Sequence, residues 1–352
     1  MSDSRSPRIK DLARHLGVSS ATVSRALSDS DLVAKATRDK IRDAARSMNF
    51  RPNVSARNLR TNRSMTVLIV VSDIANPFYL EVVKGVQRKA REAGYSVLMG
   101  NTDNDPNVEA EYFAMLRDGH ADGLLLMTGR RPAEVQPDAL HNNAVVVALE
   151  SIADESVPHV IVDNRAAAIG AVEHLLELGH QRIAHISGPL GRQVSLDRRD
   201  GFREAMQAAG LPIPAGYEQP GNFMLDSGTA ACQRLFELTE PPTALFVAND
   251  EMAFGAISYL RQRGLDVPAD VSVVGFDDIL MSEAFFPPLT TVYQPRVEIG
   301  MQAMSVLLNR MIGPRKQRQA GQTPTIIPTQ LMVRGSTAAP QTGSIKLSEE
   351  NG

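Results

Sequence analysis

The first fifty residues carry three apolar stripes at helical spacing. Ile9, Leu12, Ala13 and Leu16 share one face of a helix predicted over Arg8 to Leu16. Gly17, Val18 and Ser19 break the pattern. Glycine suits the left-handed position just past a helix, and Ser19 suits the N-cap of the next. That second helix turns Val23, Ala26 and Leu27 inward. A third is expected after Thr37 as its N-cap, with Ile41, Ala44, Ala45 and Met48 on one face. Two helices joined by a tight glycine turn make a helix-turn-helix, whose second helix enters the major groove.

From Met65 the texture changes. Val67–Val71, Val97–Gly100, Leu124–Met127, Val145–Leu149 and Val160–Val162 read as buried parallel strands, and so do Ile183–Ser187, Ala244–Val247 and Val271–Phe276. Amphipathic stretches such as Leu80–Ala93, Arg165–Leu178 and Asp226–Leu238 lie between them. The expected fold is an all-α helix-turn-helix headpiece plus an α/β body with two doubly wound parallel-sheet lobes. A chain of 352 residues is long enough for two or three domains.

Charge sharpens this division. Residues 1–63 hold fourteen Lys and Arg against six Asp and Glu, a balance of +8, whereas the remaining 289 carry 23 basic and 34 acidic residues, or -11. A basic head on an acidic body is the electrostatic footprint of a nucleic-acid-binding module joined to something else. On the second helix Ser20, Ala21, Ser24 and Arg25 fall near the start or on the polar face. Arginine matches guanine O6 and N7, and hydroxyls suit phosphate oxygens.

The single cysteine, Cys232, excludes an intrachain disulfide and a cysteine-based zinc cage. No apolar run is long enough to cross a bilayer, and the polar N-terminus lacks the apolar core of a secretory signal. A reduced, cytoplasmic protein is expected, without membrane partner, metal or cofactor. An enzyme is the rival class. However, no phosphate-cradling Walker loop and no Gly-x-Gly-x-x-Gly follows a strand, and Ser187-Gly188 does not make a nucleophile elbow. The seven histidines show no metal-ligand spacing.

The stretch Ile9-Lys10-Asp11-Leu12-Ala13, Gly17-Val18-Ser19 and Thr22-Val23-Ser24-Arg25-Ala26-Leu27 closely resembles the headpiece of the LacI/GalR family of transcription regulators. So do Thr37-Arg38, Asn49-Phe50-Arg51-Pro52-Asn53 and Ala56-Arg57-Asn58-Leu59. The resemblance implies that Ser20 and Ala21 occupy the family's variable base-reading positions and that Arg25 is the shared base contact. Ser19, Thr22, Ser24, Thr37, Asn53 and Ala56 complete the expected DNA-binding set. Asn53 to Asn62 resembles the family's hinge helix, too short to be stable alone in water. There Leu59 matches the leucine that wedges into the minor groove and kinks the duplex.

The likeness extends through the body to about Thr337, in Ala75-Asn76-Pro77-Phe78-Tyr79, Asp163-Asn164, Gly179-His180-Gln181-Arg182-Ile183, Asn249-Asp250-Glu251-Met252-Ala253 and Gly275-Phe276-Asp277-Asp278. It implies the periplasmic-binding-protein fold, and the body is most similar to the branch of cytidine, ribose and purine repressors. The implied organisation is a headpiece at 1–52, a hinge at 53–63, an effector-binding and dimerisation domain at 64–335, and a flexible tail at 336–352. Within the body, one lobe spans about 64–164 and 293–335, the other 165–292.

Ligands of such sheets sit outside the carboxyl ends of the strands. Strand-end positions supply aromatic faces and polar groups for a sugar or nucleoside. Phe78 and Tyr79 follow the first strand, Arg198 and Phe223 belong to later units, Asn249 and Asp277 close strands, and Gln294 lies in the returning crossover. Resemblance to a ribose-binding pocket adds Asn76 and Glu150, and resemblance to a base-contacting loop adds Arg192. Taken singly, these residues also fit blander roles: Phe78 and Phe223 as core, Asp277 and Asp250 as caps, Asn249 as a turn. Together they favour a pentose or nucleoside; a hexose, sugar acid or nucleobase stays open. The expected protein is a homodimeric repressor of pseudo-palindromic operator DNA, controlled by that effector. A sugar-binding transport protein is the alternative of another class. The tail lacks leucine heptads, which favours a dimer over a tetramer.

Overall fold

The computed structural model describes residues 7–27, 31–50, 63–136, 140, 143–152, 157–312 and 323–341. The chain divides into two compact units, Met1–Ser64 and Met65–Gly352.

In the first unit α1 (Ile9–Leu16), α2 (Ser20–Leu27) and α3 (Lys35–Ser47) enclose a small core of Leu12, Ala13, Val23, Ala26, Val33, Ile41, Ala44 and Ala45. Gly17 ends α1 at φ 65°, a conformation that only a residue without Cβ adopts cheaply. Ser19 Oγ accepts the Thr22 amide at 3.0 Å, capping α2. Thr37 is not the cap of α3. The helix starts two residues earlier because the Ala34 carbonyl already accepts the Thr37 and Arg38 amides, each at 3.0 Å.

The second unit holds two six-stranded sheets. The first contains β1 (Thr66–Val71), β2 (Ser96–Asn101), β3 (Gly123–Leu126), β4 (Val145–Ala148), β5 (His159–Val162) and β11 (Thr325–Ile327), in the order β11-β5-β4-β3-β1-β2. The second contains β6 (Ile183–Ser187), β7 (Glu218–Pro220), β8 (Ala244–Val247), β9 (Ser272–Asp277), β10 (Thr290–Tyr293) and β12 (Gln330–Met332), in the order β12-β10-β9-β8-β6-β7. Every pairing is parallel except β10 with β12. Central strands such as β3, β4 and β8 are buried along their whole length, as parallel strands covered on both faces must be.

The covering helices include α4 (Phe78–Glu92), α5 (Pro106–Arg117), α6 (Asn164–Glu177), α7 (Gln193–Ala208), α8 (Leu225–Phe236) and α9 (Asp250–Gln262), followed by α10 (Met281–Ala284) and α11 (Arg296–Ile312). Asp105 accepts the Asn107 amide to start α5, Asp163 accepts Ala166 to start α6, and Asn249 accepts Met252 to start α9.

Two expectations need correction. Residues 293–335 do not all belong to the first lobe: α11 packs on α4 and β11 joins the first sheet, but β12 pairs with β10 and forms an edge of the second. Nor is the chain loose from residue 336. Ser336 is fully buried, its Oγ accepting the Thr290 amide at 2.8 Å and donating to the Val273 carbonyl at 2.6 Å, and Ala338 bonds Ser272. Backbone groups at the starts of β9 and β10 would otherwise go unmet, and this segment satisfies them. Residues 342–352 lie outside the described residues.

Candidate functional site

Doubly wound sheets leave a crevice where neighbouring strands diverge. Here the carboxyl ends of both sheets border one cavity of about 430 Å³. From the first sheet come Ser72, Asp73, Asn76, Phe78 and Tyr79 after β1, Asn104 after β2, Arg130 after β3, and Leu149 and Glu150 after β4. The second sheet contributes Arg192, Val194 and Arg198 after β6, Phe223 after β7, Asn249 after β8, Asp277 at the end of β9 and Gln294 after β10. All ten expected effector-contacting residues line this cavity.

One end is a polar clamp. The Arg198 guanidinium lies 3.8 Å from Asp277 Oδ1, stacks 3.7 Å above the Phe276 ring, and donates from Nε to Asn164 Oδ1 at 2.9 Å and from Nη1 to the Ala248 carbonyl. Gln294 donates to Asp277 Oδ1 at 2.7 Å, and Arg296 donates to the Asp277 carbonyl. Burial pushes the Asp277 carboxyl up to about 6, against the pull of Arg198 and Arg296. Behind it Asp250 receives Ser282 Oγ and Thr291 Oγ1 at 2.6 Å each and the Ile279 amide at 3.0 Å. Burial and the nearby Asp277 raise it to about 7. Asp250 thus ties α9 to the β9–α10 turn and β10; it does not line the cavity.

The other end is built by turns. Asp103 and Asn104 adopt φ of 47° and 63°, and Leu149 adopts 71°. Non-glycine residues enter this region at a cost, and such strain gathers at functional sites. Arg192, from the second lobe, reaches Glu150 Oε1 at 3.1 Å and Asn104 Oδ1, both in the first. Arg130 donates to the Asn104 carbonyl at 2.9 Å and lies 3.8 Å from Glu109, whose carboxylate accepts Thr128 Oγ1. Burial raises both Glu109 and Glu150, with Arg192 the main opposing influence on Glu150.

Aromatic faces complete the cavity. Phe78 and Tyr79 meet edge to face, 5.8 Å between centroids, and the Tyr79 hydroxyl bonds Ser72 Oγ at 2.9 Å. Phe223 sits at φ 72° with its carbonyl accepting Asn249 Nδ2 at 2.9 Å. Asn249 therefore caps a helix and fixes an aromatic wall with one side chain. Asn76 Oδ1 accepts the Phe78 amide at 3.0 Å.

Sequence reasoning missed Ser72, Asn104, Arg130, Glu109, Asn164 and Arg296 as parts of this arrangement. Ser72, Asn164 and Arg296 each follow a strand closely, and the strand-end rule that found Asn249 would have found them. Glu109 lies inside α5 and carries no such mark.

In the headpiece, Ser20, Ala21, Thr22, Ser24 and Arg25 lie on α2; Ala21 and Arg25 are exposed, opposite buried Val23 and Ala26. The Ser19 and Thr22 hydroxyls share a hydrogen bond of 2.8 Å. Thr37 is in the first turn of α3. Asn53, Ala56 and Leu59 lie outside the described residues. Among the described residues no cluster of His, Cys, Asp and Glu could hold a metal ion, and no helix is long and apolar enough to cross a membrane.

Comparison with known proteins agrees with both units. The model of bacterial regulatory proteins, lacI family, matches residues 8–53, and that of the periplasmic binding protein-like domain matches 172–337. The HTH-type transcriptional repressor CytR of Escherichia coli (strain K12) is 38% identical over 332 residues, 94% of this chain and 96% of that protein. The ribose operon repressor of the same organism is 36% identical over 334 residues, 93% of this chain and 99% of the relative. The lac repressor dimer bound to operator and the anti-inducer ONPF superposes with a TM-score of 0.84 at 28% identity, covering 95% of this chain and 100% of that one. With a headpiece, two parallel-sheet lobes and relatives alike over nearly their full length, the chain belongs to the lacI family of bacterial regulatory proteins.

Proposed function

We propose that this protein is a homodimeric transcriptional repressor whose operator affinity is set by a pentose or a nucleoside bound between its two lobes. The observation that carries the ligand class is the convergence of Arg198, Asn249, Asp277 and Gln294 on one end of a cavity that Phe78 and Phe223 wall. Carboxylate, amide and guanidinium groups pair with vicinal hydroxyls, and aromatic faces cover the C–H side of a ring. The remaining expected contacts, Asn76, Tyr79, Glu150 and Arg192, complete the pocket.

On DNA, α2 enters the major groove. Arg25 and the small Ser20 and Ala21 read bases there, and Ser19, Thr22, Ser24 and Thr37 meet phosphates or base edges. Asn53, Ala56 and Leu59 form the hinge contact with the minor groove. Two headpieces of a dimer read two half-sites. Ligand-driven lobe closure shifts the balance between DNA-competent and incompetent states. The protein works in the cytoplasm as a regulator and without a catalytic step. Ligand and operator then alter each other's affinity by the same factor.

The test is calorimetric titration with ribose, cytidine, adenosine, hypoxanthine, galactose and gluconate. Binding of ribose or a nucleoside that disappears in Asp277→Ala is the expected result. Binding of only a hexose, a free base or a sugar acid would overturn the ligand class and leave the DNA-binding role standing.

A further inference from the structure

Three arginines line the cavity among the described residues, and each already faces a carboxylate. Arg198 has Asp277 at 3.8 Å, Arg192 has Glu150 at 3.1 Å, and Arg130 has Glu109 at 3.8 Å. Arg296, beneath the clamp, has Glu81 at 3.3 Å. The pairing is not a surface accident: the side chains of Arg192, Glu150, Arg198 and Asp277 are all less than a tenth exposed, and that of Glu109 is fully buried. One further carboxylate, Asp73, lines the cavity with no arginine against it in these pairs.

The guanidiniums are also held by neutral acceptors. Arg192 bonds Asn104, Arg198 bonds Asn164 and the Ala248 carbonyl, and Arg130 bonds the Asn104 carbonyl. A site built for an anion leaves cationic or backbone donors free to meet it. Here most of the positive charge is spent within the protein; the buried Arg130 Nε is left without a hydrogen-bond partner. A phosphate or carboxylate entering the cavity would lose its hydration and would have to break a buried ion pair to regain a partner.

We infer that the effector is uncharged: the cavity takes a neutral pentose or nucleoside and rejects the phosphorylated or acid form of the same compound. This rests on the proposed ligand class and deepens it, since it adds that the site discriminates against the sugar phosphate or nucleotide made from the same compound. The rejecting elements are Glu150 and Glu109, which keep Arg192 and Arg130 neutralised.

The test uses the full-length protein and two matched pairs, ribose with ribose 5-phosphate and cytidine with cytidine 5′-monophosphate, titrated by calorimetry. Wild type is expected to prefer the neutral member that binds by about a hundredfold or more, the scale set by burying an unpaired ion. Glu150→Gln and Glu109→Gln keep side-chain shape and release one guanidinium each. In at least one of them the preference is expected to shrink about tenfold, with thermal melting and operator binding measured on the same preparation. Equal or tighter binding of the phosphate by wild type overturns the inference and leaves the pentose reading intact. A preference unchanged in both folded variants also overturns it, because exclusion would then be steric. Silence toward all four compounds overturns the proposed ligand class and this inference with it. If neither variant folds, the wild-type ratio decides.

Discussion

Gly188 follows β6 and faces the ring of Phe223, the aromatic wall of the cavity. A Cβ added there would stand 2.2 Å from Phe223 Cζ, 2.3 Å from Cε1 and 2.6 Å from Ser195 Oγ. Ordinary contact begins near 3.4 Å, so in Gly188→Ala the ring must retreat by more than about 1 Å. It has little freedom to do so, because its backbone sits at φ 72° and its carbonyl holds Asn249. Moving the ring therefore disturbs the wall and the clamp together. Overpacking of one methyl costs roughly 1–3 kcal/mol. If about 1–2 kcal/mol of that falls on the ligand-competent geometry, Kd for ribose or a nucleoside rises about five- to thirtyfold. The assay is calorimetry of Gly188→Ala against wild type, with circular dichroism to confirm folding. Affinity within twofold of wild type would refute the claim that Phe223 forms a working wall of the site.

Asp277 provides a pH test. Its carboxyl titrates near 6 in the free cavity, and hydroxyl donors from a ligand favour the ionised form. Affinity is therefore expected to level off above about pH 7 and to fall by up to about tenfold per unit below about pH 6; a flat profile from pH 7.5 to 5 would contradict this. In the headpiece, Leu12 is fully buried in a core of few side chains. Leu12→Ala costs roughly 2–5 kcal/mol, enough to unfold so small a unit, so operator binding is lost while ligand affinity by calorimetry stays the same. Leu59→Ala is expected to weaken operator binding in a gel-shift assay without changing ligand affinity; equal loss in both would end the hinge assignment.

How far the sequence discloses this molecule depends on the range of each interaction. The α1–α2 turn was legible because Gly17 and Ser19 act on their nearest neighbours. The buried strands were legible because unbroken runs such as Val67–Val71 have few other uses. The clamp residues Asn249 and Asp277 were found because they end strands in a fold whose sites lie there. Glu109 was not, because its partners Thr128 and Arg130 are distant in sequence and meet it only after α5 packs beside β1. The return of β12 to the second sheet was missed for a similar reason. Three residues, Gln330–Met332, carry too little pattern, and their place is decided by the free edge of β10. Thr37 misled because a threonine before an apolar face looks like a cap, whereas the Ala34 carbonyl had already started the helix.

Two-way coupling between ligand and operator is the central consequence of a regulator with a cavity at one site and a DNA-reading helix at another. The direct measurement is operator affinity by fluorescence anisotropy with and without saturating ligand, paired with ligand affinity by calorimetry with and without saturating operator. Both ratios are expected to change by one common factor, of about 5–150, in the direction of induction or of corepression. Operator affinity that stays constant when the cavity is full would contradict control of DNA binding through this site.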